Sequence, residues 1–132
     1  MITVTAAVVE KDGRILIAKR KKGWRFEGKW EFPGGKIEAS ETPEECLRRE
    51  LREELGIETR IGTFICSSTY AYPYATVQLL VYRAFHLSGE YTLHDHQEIR
   101  WVIPEELRQY DFPEADKPVI EKLIGAGPGS WE

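Results

Sequence analysis

A chain of 132 residues, 42% hydrophobic and 30% charged, has the size and make-up of one globular domain with a real core. Its formal net charge of −4 excludes a general binder of polymeric nucleic acid, which needs a basic surface. No apolar run approaches the ~20 residues of a membrane span, and the first residues carry no leader pattern, so a cytoplasmic protein with no membrane partner is expected.

Residues 2–9 are rich in β-branched side chains. Lys11-Asp12-Gly13 supplies a turn, and residues 14–18 resume the apolar run, so a hairpin is predicted. Residues 19–25 are basic and broken by Gly23. They read as a loop whose cations form either a solvated charge run or contacts to phosphate. Trp30-Glu31-Phe32-Pro33-Gly34-Gly35 is a short extended piece ending in paired glycines, which let backbone approach a ligand closely.

The best-marked element follows. Thr42 suits an N-cap, Pro43 the first helical position and Glu45 the third, which makes a capping box. Gly56 marks the end. Leu47, Leu51 and Leu55 form one buried stripe, with Cys46 beside it. Beyond this helix, residues 58–70 read as a strand with a break near Gly62. Residues 70–74 are an aromatic loop. Residues 76–85 are a long strand with Val77, Leu79, Val81 and Phe85 apolar, and residues 99–103 a further short strand. One helical turn is predicted over 104–107. A last helix is predicted over 117–124, capped by Asp116 and buried through Ile120, Leu123 and Ile124. Residues 125–132 are Gly-rich and read as a flexible tail. The expectation is a single domain over 1–124, of α+β class, with helices on both faces of a central mixed sheet. Cys46 and Cys66 lack metal-type spacing and fit structural thiols in a reducing compartment. The four tryptophans are expected to serve packing more than stacking on a substrate.

Between Glu44 and Glu54, eight residues are Glu or Arg. Glu50 has Glu53 at i+3 and Glu54 at i+4, spacings at which like charges repel by roughly 0.2–0.5 kcal/mol per pair. Carboxylates near a helix C-terminus also oppose its dipole. A solvated face balanced by Arg48, Arg49 and Arg52 is the plain alternative. Three carboxylates expected to converge on one patch instead suggest a site, and hard oxygen donors suit Mg²⁺ or Mn²⁺. Glu50 and Glu54, one turn apart, can reach a common ion. Glu53 can hold a second ion or take a proton from water. Lys36, in the glycine turn, is either a phosphate contact or a solvated lysine. His94 and His96 make only a weak zinc pattern.

The same stretch resembles the Nudix hydrolases, whose pattern is G-x5-E-x7-R-E-U-x-E-E-x-G-U with U a bulky aliphatic residue. Gly35, Glu41, Arg49, Glu50, Leu51, Glu53, Glu54, Gly56 and Ile57 occupy all nine fixed positions at the right spacing. The resemblance implies an α/β/α sandwich and a Mg²⁺-dependent hydrolase. It makes Glu50 and Glu54 metal ligands, Glu53 a ligand and the general base, and the Gly34 carbonyl a further ligand. It gives Arg49 the task of orienting the carboxylates and Glu41 that of supporting the metal shell. An acidic residue in the loop before the last strand, Asp95 or Glu98, is implied as an extra ligand or base. The segments at residues 30–35 and 111–120 resemble MutT-type nucleotide sanitisers. That places Arg20, Tyr72 and Asp116 at the nucleotide.

Within that group the 8-oxo-guanine-specific members carry Asn at this position, and Asp116 resembles instead the CTP pyrophosphohydrolase branch. An ionised Asp only accepts hydrogen bonds, which favours the exocyclic amine of cytosine or adenine, whereas burial that protonated it would blur the distinction. The implied activity is hydrolysis of nucleoside triphosphates, oxidised ones or cytidine nucleotides, to monophosphate and pyrophosphate. The alternatives are an 8-oxo-dGTP diphosphatase proper, a hydrolase of another nucleoside diphosphate derivative, and a non-catalytic nucleotide-sensing module. The partner is a small nucleotide, and the chain is a monomer or homodimer.

Overall fold

The computed structural model describes residues 1–126. Its sheet has seven strands: β1 (Ile2–Lys11), β2 (Arg14–Lys19), β3 (Trp30–Glu31), β4 (Gly34–Lys36), β5 (Glu58–Ala71), β6 (Thr76–Ser88) and β7 (Glu98–Val102). The path is β3-β2-β1-β6-β5, with β4 added beside β1 and β7 beside β2. β1 and β6 run parallel from Ile2↔Val77 to Val9↔Ala84, and the other pairs are antiparallel, so the sheet is mixed as expected.

The β1–β2 hairpin turns through Asp12 and Gly13, both left-handed at φ 52° and 76°. Two successive positive φ values are what a tight hairpin matching the strand twist requires. Helix α1 (Pro43–Leu55) starts with the predicted reciprocal cap, Glu45 N–H to Thr42 Oγ1 and Thr42 N–H to Glu45 Oε1. It ends on left-handed Gly56, whose N–H donates to the Arg52 carbonyl.

Alternate residues along the inner strands feed two cores, one on each face of the sheet. Ala7, Val9 and Leu16 pack under α1 with Leu47, Leu51 and Leu55. Ala6, Val8, Ile15 and Ile17 face the other way, onto Phe112, Val119, Ile120 and Leu123 around helix α2 (Lys117–Ala126). At about 25 cal/mol per Å² of apolar surface buried, these paired cores are the main force holding the layers together.

Several boundaries differ from the predicted ones. The break at Gly62 is a bulge inside a continuous β5, with register shifts between Ile61 and Phe64 and between Phe64 and Cys66. In β6 the apolar alternation fails at Arg83. This arginine is buried, donates to the Val8 and Ala84 carbonyls and pairs with Glu10, while Phe85 is only half-buried. The helical turn after β7 is a 3₁₀ helix, Pro104–Gln109. Asp116 does not cap α2. It ends a 3₁₀ turn, Glu114–Asp116, that runs straight into the helix, so its side chain is released toward the molecule's interior. α2 continues through Gly125 and Ala126. Only residues 127–132 of the expected tail remain, and they lie outside the described residues.

Candidate active site

A cleft of about 620 Å³ opens beside α1, and its lining includes Arg20, Glu31, Gly34, Lys36, Tyr72 and Asp116. Glu50 and Glu54 face it from the helix. They are positioned by different means. Glu50 stands over the glycine turn: a methyl group on Gly35 would fall 2.6 and 2.7 Å from its two carboxylate oxygens, so only glycine leaves that space open. Glu54 is buried because the chain before β7 crosses the end of α1. Thr92 N–H donates to the Leu55 carbonyl and His94 N–H to the Glu54 carbonyl, and Gln97 N–H ties the other end to Lys19.

Arg49 fixes the helix side of the site. Its guanidinium donates to both oxygens of Glu41, to Glu50 at 2.8 Å and to Glu53 at 3.3 Å. The charge-assisted bonds from Arg49 hold the Glu41 carboxyl down at about 2. Glu41 also accepts from the Glu38 N–H, so it anchors the arginine.

The structure alters the expected convergence of Glu50, Glu53 and Glu54. Glu54 points inward and is 7% exposed, whereas the Glu53 side chain is 59% exposed and turned to Arg49. Among the described residues no three metal-binding side chains already meet at one point. Like charges at these spacings repel, and Arg49 draws Glu53 to the outer face away from Glu54. His94 and His96 also diverge: His94 Nε2 lies over Gly56, and His96 turns inward to Glu31.

Glu54 is the most perturbed carboxyl. Burial pushes it up to about 9, and the negative charges of Glu31, Glu50 and Asp95 push the same way. Its Oε1 has no hydrogen-bond partner. Burial also raises Glu50, against the pull of Arg49. Buried carboxyls without donors are costly. A hard cation would reverse that cost, and an all-oxygen set of Glu50, Glu54 and the Gly34 carbonyl fits one. Of the two loop acids, Asp95 acts on Glu54 and pairs loosely with Lys21 at 3.6 Å. Glu98 lies on β7 and is held by Arg100 at 2.6 Å.

Asp116 is also buried, and desolvation lifts it to about 8, aided by Glu31 and opposed by Arg20. Of the two states weighed from the sequence, burial favours the protonated one. The side chain makes no hydrogen bond within the described residues, so its O–H and carbonyl are free for a ligand. Tyr72 helps to place it. The Tyr72 hydroxyl accepts from the Ala115 N–H at 2.8 Å, and its ring stacks on Tyr74 at 5.5 Å and 14°. Phe26 packs against Tyr72 at 5.2 Å from a left-handed backbone, φ 61°. Such a φ strains a bulky residue and is sustained only where surroundings impose it.

Three contributors were not singled out from the sequence. Glu31 lines the cleft and its charge raises both Glu54 and Asp116. Its signal was a lone carboxylate flanked by Trp30 and Phe32, both buried. Trp24 and Phe26 also line the cleft, Trp24 while packing against His96. Their signal was aromatics interleaved with cations in the loop after β2. Arg20, expected at the nucleotide, lines the cleft but spends its guanidinium on Glu31 and on the Arg25 carbonyl. Lys36 lines it with an exposed side chain.

Known proteins resemble the chain over the same extent. The family model for the NUDIX domain matches residues 1–123. The CTP pyrophosphohydrolase of Escherichia coli K12 is 40% identical over 124 residues, covering 94% of this chain and 92% of that protein. The 8-oxo-dGTP diphosphatase of the same organism is 35% identical over 113 residues, covering 86% and 88%. The solution structure of the E. coli ORF135 protein superposes with a TM-score of 0.85 at 39% identity, covering 96% of this chain and 90% of that one. Every strand, helix α1 and the whole cleft lie inside the matched span, and the chain belongs to the Nudix hydrolase family.

Proposed function

We propose that this hydrolase converts cytidine-type nucleoside triphosphates, including oxidised pyrimidine ones, to monophosphate and pyrophosphate. The observation that carries this is the cleft itself. Glu50 and Glu54 face it from α1, while an aromatic wall and a buried, protonated Asp116 face it from the other side. A protonated carboxyl offers one donor and one acceptor side by side. That matches the N3 acceptor and the exocyclic amine of cytosine. Glu31 adds a second acceptor. The name of the 40%-identical relative, CTP pyrophosphohydrolase, supports the reading.

Nudix hydrolases work with a divalent cation. Bound here, Mg²⁺ or Mn²⁺ would neutralise phosphate charge and acidify the attacking water. Glu50, Glu54 and the Gly34 carbonyl would hold the cation. Glu53, at the solvent edge, would take a proton from the attacking water. Arg49, anchored by Glu41, keeps Glu50 and Glu53 in register. Lys36 and Arg25, both lining the cleft, take phosphate oxygens, and Arg20 steadies Glu31. Asp95 supplies the further acid beside Glu54.

A panel of nucleoside triphosphates with Mg²⁺ in ¹⁸O-water tests this. Pyrophosphate release with label in the monophosphate, and cytidine ahead of guanine nucleotides, is the expected result. Release of orthophosphate alone would overturn it.

A further inference from the structure

We infer that His96 is a positioning residue for base selection, acting by holding the Glu31 carboxylate in the cleft. This deepens the proposed function and rests on it.

The His96 side chain is fully buried. Its one polar contact is Nε2 to Glu31 Oε2 at 2.7 Å, and Nδ1 has no hydrogen-bond partner. A carboxylate only accepts, so Nε2 carries the proton and donates. An imidazole buried with one nitrogen unsatisfied is a poor choice for packing, because an apolar side chain would fill the space without that loss. The contact to Glu31 is what the histidine provides there.

Glu31 is thereby held through both oxygens. Oε1 accepts from Arg20 at 2.6 Å and Oε2 from His96. Those two bonds leave lone pairs for the cleft, and they fix the plane in which Glu31 presents them to a ligand. Trp24, itself lining the cleft, packs edge-on against the imidazole at 5.6 Å and 81°, which keeps the ring from swinging out. The backbone around it is pinned by His94 N–H to Glu54 and Gln97 N–H to Lys19. His96 thus lies behind the cleft and reaches a ligand only through Glu31. Cutting this bond frees one end of Glu31 and loosens the acceptor geometry facing the base, while Glu50 and Glu54 stay in place.

The test uses His96→Leu, His96→Gln and His96→Asn. Gln places its amide nitrogen near Nε2 and can donate to Glu31. Asn reaches only as far as Nδ1. Steady-state kinetics on dCTP and dGTP with Mg²⁺ should show His96→Leu losing base discrimination by about tenfold, mostly in KM. His96→Gln should restore it and His96→Asn should not. In a Glu31→Gln background His96→Leu should add little. Equal defects in the Leu and Gln variants, or an unchanged dCTP/dGTP ratio in His96→Leu, would overturn the inference. Nitrogen-15 NMR of the imidazole in the nucleotide-free protein is independent of turnover. A protonated Nε2 with a downfield, slowly exchanging proton that vanishes in Glu31→Gln is expected, and a proton on Nδ1 alone overturns the assignment. An NMR signature as expected in a protein that turns over no triphosphate would count against the proposed function and leave the Glu31–His96 bond standing.

Discussion

Asp116 carries its proton through the neutral range because burial disfavours the charge and Glu31 is near. Its chemistry toward a base therefore changes at about pH 8. Below that it donates and accepts; above it, it only accepts and loses the bond to cytosine N3. Preference for dCTP over 8-oxo-dGTP should fall as pH rises from 7 to 9. Other groups that govern turnover act on both substrates, and ionisation of the bases themselves is common to parent and variant, so the ratio of the two kcat/KM values compared between parent and Asp116→Asn isolates Asp116. Asp116→Asn keeps a donor and an acceptor at every pH. Asn does not titrate, so whatever preference it sets should stay level from pH 7 to 9, while the parent's ratio falls by up to about tenfold. A ratio in the parent that does not move with pH would remove Asp116 from base reading. The residue was legible from the sequence, but its proton was not. Position 116 precedes a predicted helix and would suit a cap. Only the 3₁₀ turn Glu114–Asp116 and the Tyr72 hydroxyl on Ala115 put it inside.

At the scale of elements, α1 and the glycine strand β4 form one device. β4 pairs with β1 through Thr5↔Gly35, and the absent side chain at Gly35 is the room in which Glu50 sits. Gly35→Ala should leave the sheet standing, since an extended backbone accepts alanine. The new methyl should displace the Glu50 carboxylate and lower kcat by about 10²-fold, the scale expected when a reacting group is misplaced by roughly 1 Å. Thermal unfolding near the parental midpoint together with that loss is the expected pair of results. Parental turnover would show that the glycine serves the backbone and not Glu50. Most of this device was readable in advance. The capping box, the leucine stripe and the spacing of Glu50, Glu53 and Glu54 are local, and local signals survive in a sequence. What was not readable was their separation in space. Glu54 is covered by residues 92–97, which reach α1 from some forty positions away, and Glu53 is drawn outward by Arg49. The same holds for Arg83, a charge inside β6 whose partners, Val8 and Glu10, lie on β1.

For the molecule as a whole, the buried carboxyls set how stability depends on pH. Glu54 and Asp116 have folded-state values of about 9 and about 8, against ordinary values of 4.5 and 3.8. A raised value means the folded state binds the proton more tightly. The stability each contributes is complete below its ordinary value and is lost as pH rises through the folded one. Glu50 is raised too and adds in the same direction. Glu41, lowered to about 2 by Arg49, contributes the opposite way: its share is present above 4.5 and lost in acid. The two sets leave a maximum at about pH 4 for protein freed of metal by chelation, and a steady decline from there toward pH 9. Rising negative charge on a chain already at −4 would also lower stability with pH, so the parent alone does not identify the cause. The double variant Glu54→Gln/Asp116→Asn does. It should be the more stable protein at pH 8–9, by about 1–2 kcal/mol, and should unfold at a midpoint far less sensitive to pH, at the expense of activity. Adding Mg²⁺ should restore most of the alkaline loss in the parent, because a cation held by Glu54 favours its charged form, and should do little for the double variant. Thermal unfolding from pH 5 to 9, with chelator and with Mg²⁺, gives all four curves. Parallel decline of parent and double variant in chelator would place the pH dependence in net charge and clear the cleft carboxyls of it.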